Sequence, residues 1–411
     1  MVLAMTLMVR DEVDIIAPMI EYHLSAGVDV LIITDNGSID GTREVLAEYE
    51  EDTRIVVIDH PDHDKNQSAR VTEMARRAYS EFSADWVINA DADEFFVPVD
   101  RSLDLRTLFS RMPSSLGSVV VPVIDMTGAP ARSGAGLARL TLRDERPEDD
   151  LYWQAGLHAH ATPDAVHVGA PDVTVSQGNH FVSIPSRGEL PPGLELESLH
   201  FPWRSYDQFS KKVINAGRAY DSNPGLTPSP RHHGMRDYRF FRAGVLEEIY
   251  LYRHPRSERP GQRLRCDDWL MSALTELANR PSTRRPDLIR AALVSTEDHV
   301  YHAAEREAAT AVARAVLLIE EERSRAAAEA QDARNEVALT QGRASELEDR
   351  LTAAQHEIGR LRLEAAEAVA DAEVARRALE SVRASRTFRA VRLAAAPLDW
   401  FRRHTNRAGV G

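Results

Sequence analysis

Asp91-Ala92-Asp93, closing the run Asp85-Trp86-Val87-Ile88-Asn89-Ala90, is where this sequence gathers its chemistry. Trp86, Val87 and Ile88 suit a strand covered on both faces. In an extended segment alternate side chains point the same way, so carboxylates at 91 and 93 share one direction. They repel each other unless a cation lies between them. Oxygen ligands suit a hard divalent ion, Mg2+ or Mn2+, and such ions often share their shell with a substrate's phosphates. The end of a strand in an open α/β sheet is also where such sheets bind ligands. Taken alone, the same three residues also describe an acidic surface loop.

The elements that must position the pair lie upstream. Residues 2–8 read as a first strand. A helix over 11–26 carries Val13, Ile16, Ile20 and Leu24 on one stripe and stops at Gly27. Residues 28–34 form a second strand. The turn-rich stretch 35–42 follows, with Asp40 as N-cap of a helix over 41–50. Residues 54–58 are a third strand and 67–81 a third helix, with Val71, Met74, Ala75 and Ala78 on its apolar side. Alternation of this kind predicts a parallel sheet with helices on both faces. The layout is Rossmann-like, but the first turn lacks G-x-G-x-x-G, and no G-x-x-x-x-G-K-[ST] occurs. Phosphates must then be held another way, and a metal would do it. Arg70, early in the third helix, is placed to meet a diphosphate.

Met8-Val9-Arg10-Asp11-Glu12, then Asp35-Asn36-Gly37-Ser38-Ile39-Asp40-Gly41-Thr42, then Asp85-Trp86 through Asp93-Glu94-Phe95 resemble the family 2 type of glycosyltransferases. The resemblance resumes at Gly178-Asn179-His180 and at Leu199-His200-Phe201-Pro202-Trp203-Arg204-Ser205. It implies the GT-A fold, a Rossmann-like nucleotide-sugar-binding α/β domain whose D-x-D holds Mn2+ or Mg2+. It also implies that Asp91 and Asp93 are metal ligands, and that Arg10, Asp11, Glu12, Asp35 and Asp91 border the donor. Asp35 and Asn36 equally suit a tight turn.

The middle of the chain is less explicit. Residues 118–124 read as a strand and 125–149 as a long excursion or a flexible loop, of the kind that covers a donor. Transfer to an acceptor hydroxyl with inversion needs a base near that hydroxyl and a cation for the departing diphosphate. His180 fits a base, a third metal ligand or a satisfied core histidine. Asp268, beside Asp267 and before an amphipathic run, is a second candidate base, with an N-cap as the simpler role. His200 and Trp203 open a helix reaching about residue 220 and suit an acceptor platform; Trp203 also suits a core. Lys211, Lys212 and Arg218 give that helix a basic face.

From about residue 305 the composition changes to Ala, Glu, Arg and Leu. Leu347, Leu351, Ala354, Ile358, Leu361, Ala365, Ala368, Ala372, Ala375, Leu379 and Val382 recur in 4-3 spacing, which predicts a left-handed coiled coil and a homo-oligomer, most simply a parallel dimer. A long single helix packed back on the body is the plainer alternative. Beyond it, residues 383–407 carry seven Arg against one Asp, with Phe388, Val391, Leu398, Trp400 and Phe401 able to insert among anionic lipids.

The expected organisation is therefore a domain over 1–300, with a nucleotide-sugar half to about 125 and an acceptor half over 126–300. A coiled coil over 305–383 and a basic amphipathic tail over 384–411 follow. The net charge of −14 over 411 residues argues against nucleic acid as partner. The last 111 residues carry 18 Arg and 18 acidic side chains, so the whole excess lies in the body. One cysteine, Cys266, excludes an internal disulfide framework. The short apolar start and the lack of a long apolar run predict a cytoplasmic protein, and the basic, aromatic tail predicts peripheral attachment to the inner face of the membrane. The expected function is a metal-dependent, inverting glycosyltransferase of cell-envelope or surface polysaccharide synthesis. It would move a sugar from a UDP-, GDP- or dTDP-linked donor to a glycan or lipid-linked acceptor. The competing expectation is a non-catalytic coiled-coil scaffold with a degenerate nucleotide-sugar-binding domain.

Overall fold

The structure, a computed structural model, describes residues 1–60, 67–221, 233–256, 263–294, 300–387 and 389–390. It divides into two units, Met1–Glu320 and Glu321–Gly411. The first unit begins with the expected alternation: β1 (Leu3–Val9), α1 (Ile16–Ser25), β2 (Val30–Asp35), α2 (Thr42–Ala47), β3 (Ile55–Asp59), α3 (Gln67–Phe82) and β4 (Trp86–Ala90). β5 (Glu94–Pro98), α4 (Leu105–Arg111), β6 (Ser118–Val121), β7 (Val123–Thr127), β8 (Leu142–Asp144), α5 (Glu148–Ala155), β9 (Asp164–Val168) and β10 (Leu196–His200) follow. Then come α6 (Tyr206–Asp221), α7 (His233–Arg242), α8 (Leu246–Arg253), β11 (Leu264–Cys266), α9 (Trp269–Leu277) and α10 (Pro286–Leu293).

β1 to β4 are parallel, and the six-stranded sheet they begin runs β3-β2-β1-β4-β9-β6, with β9 antiparallel to both neighbours. Strand periodicity explains why these segments are apolar throughout. Leu3, Met5 and Leu7 of β1 pack in one core with Leu31, Ile33, Trp86 and Ile88, while Ala4, Val30, Ile32 and Val87 pack on the opposite face against α3. α1 gives way to Gly27 at φ +102°, where an added Cβ would fall 2.5 Å from the Arg106 Cβ, so no side chain fits.

A second sheet, in the order β11-β8-β7-β10-β5, stands beside the first. The chain passes between the sheets five times, and two of these crossings are short. One is Asp91 to Asp93, between β4 and β5. The other is Pro122, which separates β6 from β7 and splits the single strand expected over 118–124. Residues 125–149 are not a flexible loop. They contribute β7, β8 and the start of α5, with Ala131, Ala135, Leu137 and Leu140 buried. Small and apolar residues interleaved with Gly and Arg masked their packing as loop composition. A separate core gathers α5, α6 and α8 around Tyr250, Tyr252 and Trp203.

α11 (Ala303–Ala384) starts in this unit, where Ala309, Ala313 and Leu317 are buried, and supplies the helix of the second unit. There Leu347, Leu351, Ile358, Leu361, Leu379 and Val382 are all exposed. The basic tail lies outside the described residues at 388 and from 391 onward. No helix among the described residues is long and apolar enough to cross a membrane.

Candidate active site

The Asp91–Asp93 segment is a turn, not the extended run its alternation suggests: the Glu94 amide donates to the Asp91 carbonyl at 3.2 Å. The chain must leave one sheet and enter the other within three residues, which an extended segment cannot do. Both carboxylates nevertheless line one cleft of about 190 Å³, together with Arg10, Asp11, Glu12, Gln67, Lys211, Lys212 and Asn215.

Asp91 is held by amides. Its Oδ1 accepts from Gln67 Nε2 at 3.1 Å and from Asn179 Nδ2 at 3.2 Å. Gln67 opens α3, and its Oε1 accepts from Gln177, so one turn and one helix end fix the carboxylate. Asn179 sits at φ +63°, a left-handed position that Asn tolerates better than most residues. Burial raises the Asp91 pKa, and the neighbouring Asp93 raises it further.

Asp93 is held by cations. It is 1% exposed, and its Oδ2 meets Lys212 Nζ at 2.7 Å, Arg204 Nη1 at 3.5 Å and His200 Nε2 at 3.8 Å. Burial would raise its pKa, but Lys212, His200 and Arg204 outweigh it and hold the carboxyl well below the ordinary range. Its Oδ1 is buried with no hydrogen-bond partner among the described residues. Native proteins seldom leave such an atom without a ligand, ion or water.

Arg204 is the buried keystone of this side. Fully enclosed, it grips Asp14 at 2.8 and 3.0 Å, the Phe201 carbonyl at 3.0 Å, and Glu12. Burial pushes Glu12 up to about 7, against the pull of Arg204 and Lys212. Asp11 adopts φ +56° and accepts from the Ile39 amide at 2.8 Å and from Asn215 Nδ2 at 3.1 Å. Arg10 donates to the Asn36 carbonyl at 2.7 Å.

Two histidines are oriented by carboxylates. Asp125 Oδ1 lies 2.8 Å from His200 Nδ1, which must carry the proton, so Nε2 turns toward Asp93. Burial lowers the His200 pKa, but Asp125 and Asp93 more than restore it, and the net direction is up. Asp164 Oδ1 lies 3.2 Å from His180 Nδ1 in the same manner.

Other expected residues fall elsewhere. Asp35 accepts from the Ser38 amide at 3.3 Å on both oxygens, within its own turn, and like His180 and His200 it is not among the residues that line the cleft. Arg70 pairs with Glu73 at 3.3 Å and is likewise outside the cleft lining. Asp268 is an exposed residue at the start of α9. Trp203 is no open platform: it is buried in the α5–α6–α8 core, with the Arg253 guanidinium 5.6 Å from its ring centre.

Residues 2–115 match the family model described as glycosyltransferase family 92. The matched stretch runs from β1 past β5 and so contains Arg10, Asp11, Glu12, Gln67, Asp91 and Asp93, but neither Arg204 nor Lys212. It supports a glycosyltransferase. The family that matches is 92, whereas the motifs resemble family 2; the reaction class is common to both.

Among solved structures, the crystal structure of S. aureus TarS residues 1–349 gives a TM-score of 0.30 at 10% identity, covering 79% of this chain and 92% of that one. The same fragment in complex with UDP gives 0.28 at 10% identity, covering 71% and 89%. S. aureus TarS gives 0.26 at 9% identity, covering 77% and 55%. No curated protein matches the chain.

Sequence reasoning gave no role to Gln67, Asn179, Arg204 or Asp164. One signal for Lys212 was present: the chain has only three lysines, and two of them, Lys211 and Lys212, face this cleft.

Proposed function

We propose that the cleft binds a nucleotide sugar and transfers its sugar to an acceptor hydroxyl with inversion, assisted by Mn2+ or Mg2+. The observation that carries this reading is the Asp93 Oδ1, buried and without a partner among the described residues, at the mouth of the parallel sheet inside the family 92 match. Among the described residues no three His, Cys, Asp or Glu side chains converge as a complete cation cage. Two carboxylates fit an ion that takes its remaining oxygens from diphosphate and water, as Mg2+ and Mn2+ do. Asp91 and Asp93 would hold it. When bound, it would supply positive charge where negative charge builds on the leaving diphosphate.

The chain's own residues do the rest. Arg10, Asp11, Gln67 and Asn215 border the donor. Arg204 holds Glu12, Asp14 and Asp93 in register. In the transfer, the acceptor oxygen bonds to the anomeric carbon while the bond from that carbon to the diphosphate oxygen breaks and its electron pair leaves with the diphosphate. The hydroxyl proton passes to His180 Nε2, the nitrogen that the Nδ1 contact to Asp164 leaves as acceptor. His200 stands at the acceptor side. The Asp93→Asn chain tests the reading: Mn2+-dependent binding of UDP, measured calorimetrically, falls at least roughly a hundredfold while the fold is kept. Equal affinity in both chains overturns it. If no UDP-, GDP- or dTDP-sugar is hydrolysed or bound, the scaffold reading takes its place.

The exposed 4-3 stripe of the second unit supports self-association as a parallel dimer. Sedimentation of the full chain decides this: Leu351→Asp with Ile358→Asp yields monomers, and a wild type that is already monomeric at micromolar concentration refutes it.

A further inference from the structure

Arg204, Lys212 and the imidazole of His200 surround the Asp93 carboxylate, and they differ in freedom. Arg204 is fully buried, with every side of its guanidinium engaged by Asp14, Glu12 and the Phe201 carbonyl. His200 is held through its other nitrogen by Asp125. Lys212 is different. Its side chain is 46% exposed, it approaches Glu12 Oε1 only to 3.9 Å, and among the described residues its one short contact is the 2.7 Å bond to Asp93 Oδ2. An ammonium on a four-carbon stem is a movable point charge, whereas a buried guanidinium fork is not.

That bond occupies one oxygen of the carboxylate whose other oxygen is buried without a partner among the described residues. A divalent ion bound at Oδ1 would share this carboxylate with the ammonium on Oδ2, and two cations within a few ångströms repel, so each weakens the other's hold on Asp93. Once displaced, Lys212 remains on the cleft wall beside Lys211, one helical turn from Gln208 and Asn215, where donor phosphates would lie.

We infer that Lys212 is a tethered place-holder: it neutralises Asp93 in the donor-free chain, yields that carboxylate to the divalent cation, and moves to the donor's diphosphate. The inference rests on the donor-site reading above. It makes the lysine both an antagonist of metal bound alone and a partner of the metal when nucleotide is present.

Lys212→Met keeps the stem and removes the charge. Its titration with Mn2+ alone, followed by electron paramagnetic resonance of the free ion, gives roughly tenfold tighter binding than wild type. With Mn2+ saturating, UDP then binds roughly tenfold more weakly. Lys212→Arg stays near wild type in the first titration. Unchanged or weaker Mn2+ binding by Lys212→Met overturns the place-holder; tighter Mn2+ with unchanged UDP affinity overturns the transfer to diphosphate. Asp93→Asn separates this inference from the reading beneath it. If that variant still binds Mn2+ as wild type does, the donor-site reading has failed, whatever Lys212 does.

Discussion

Asp91 and Asp93 belong to one three-residue turn, yet the two walls of the cleft treat them in opposite ways. The wall built by α3 and the 177–179 turn offers Asp91 neutral amides from Gln67 and Asn179. The wall built by β10, α6 and the segment between them offers Asp93 the charged Arg204 and Lys212 and the imidazole of His200. Both carboxyls are desolvated, so burial raises both pKa values. On the amide side Lys212 and His200 offset it only in part and Asp91 ends above its usual value; on the cationic side it is overridden and Asp93 ends low. The lesson is that a sequence motif of two acids need not be two equivalent ligands. Asp93 is a committed anion, while Asp91 is a carboxyl whose charge must be stabilised by whatever enters the cleft.

The largest blow to this asymmetry is Arg204→Met. It strips Asp14, Glu12 and Asp93 of their common fully buried cation, and breaking such a network costs about 3–5 kcal/mol. Chemical denaturation measures this. A loss under about 1 kcal/mol would mean that Lys212 and solvent suffice on the cationic wall.

The paired variants Asp93→Asn and Asp91→Asn sharpen the contrast directly. Asparagine at 93 leaves Lys212 and Arg204 facing a neutral amide, a loss of about 2–3 kcal/mol. Asparagine at 91 can still accept from Gln67 and Asn179, and it removes a carboxyl whose ionisation burial already opposes. Its stability stays within about 1 kcal/mol of wild type. The sign with pH follows. Asp93, with a depressed folded pKa, contributes stability that is complete above the unfolded value near 3.8 and is lost as pH falls through the folded one. Asp91, with a raised folded pKa, contributes stability that is complete below 3.8 and is lost as pH rises through the folded one. Denaturation of both variants at pH 3.5 and 7.5 checks this: the Asp93 deficit shrinks at the lower pH. Two variants with the same pH dependence would abolish the distinction.

The smallest expected effect is Asn179→Ala. It removes one neutral hydrogen bond to Asp91 and places Ala at a left-handed φ, together about 1–2 kcal/mol of stability. Nucleotide affinity with Mn2+ falls only a few-fold, because Gln67 still holds the same oxygen. A hundredfold loss would show that the amide wall matters as much as the cationic one.

Much of the scaffold was legible beforehand. The parallel order of β1 to β4, the stop at Gly27 and the long helix after residue 303 follow from periodicity and turn residues, which are local. The expected loop over 125–149 was misread because its apolar positions have no single period; they pack against several elements at once. The switch at Pro122 was visible only as one residue in an otherwise continuous apolar run.

Within the cleft, sequence alone determined that two carboxylates would follow a buried strand, and that Arg10, Asp11 and Glu12 would follow another beside it. Parallel pairing of adjacent βα units brings those turns to one edge. What tertiary structure decided is the charge state of each acid. Lys212 reaches Asp93 across 119 residues and Arg204 reaches Glu12 across 192, and both lie beyond the segment that family comparison matches. No local pattern encodes such a meeting, because a pKa in a buried site is set by whichever charges the fold carries within a few ångströms, not by neighbours along the chain.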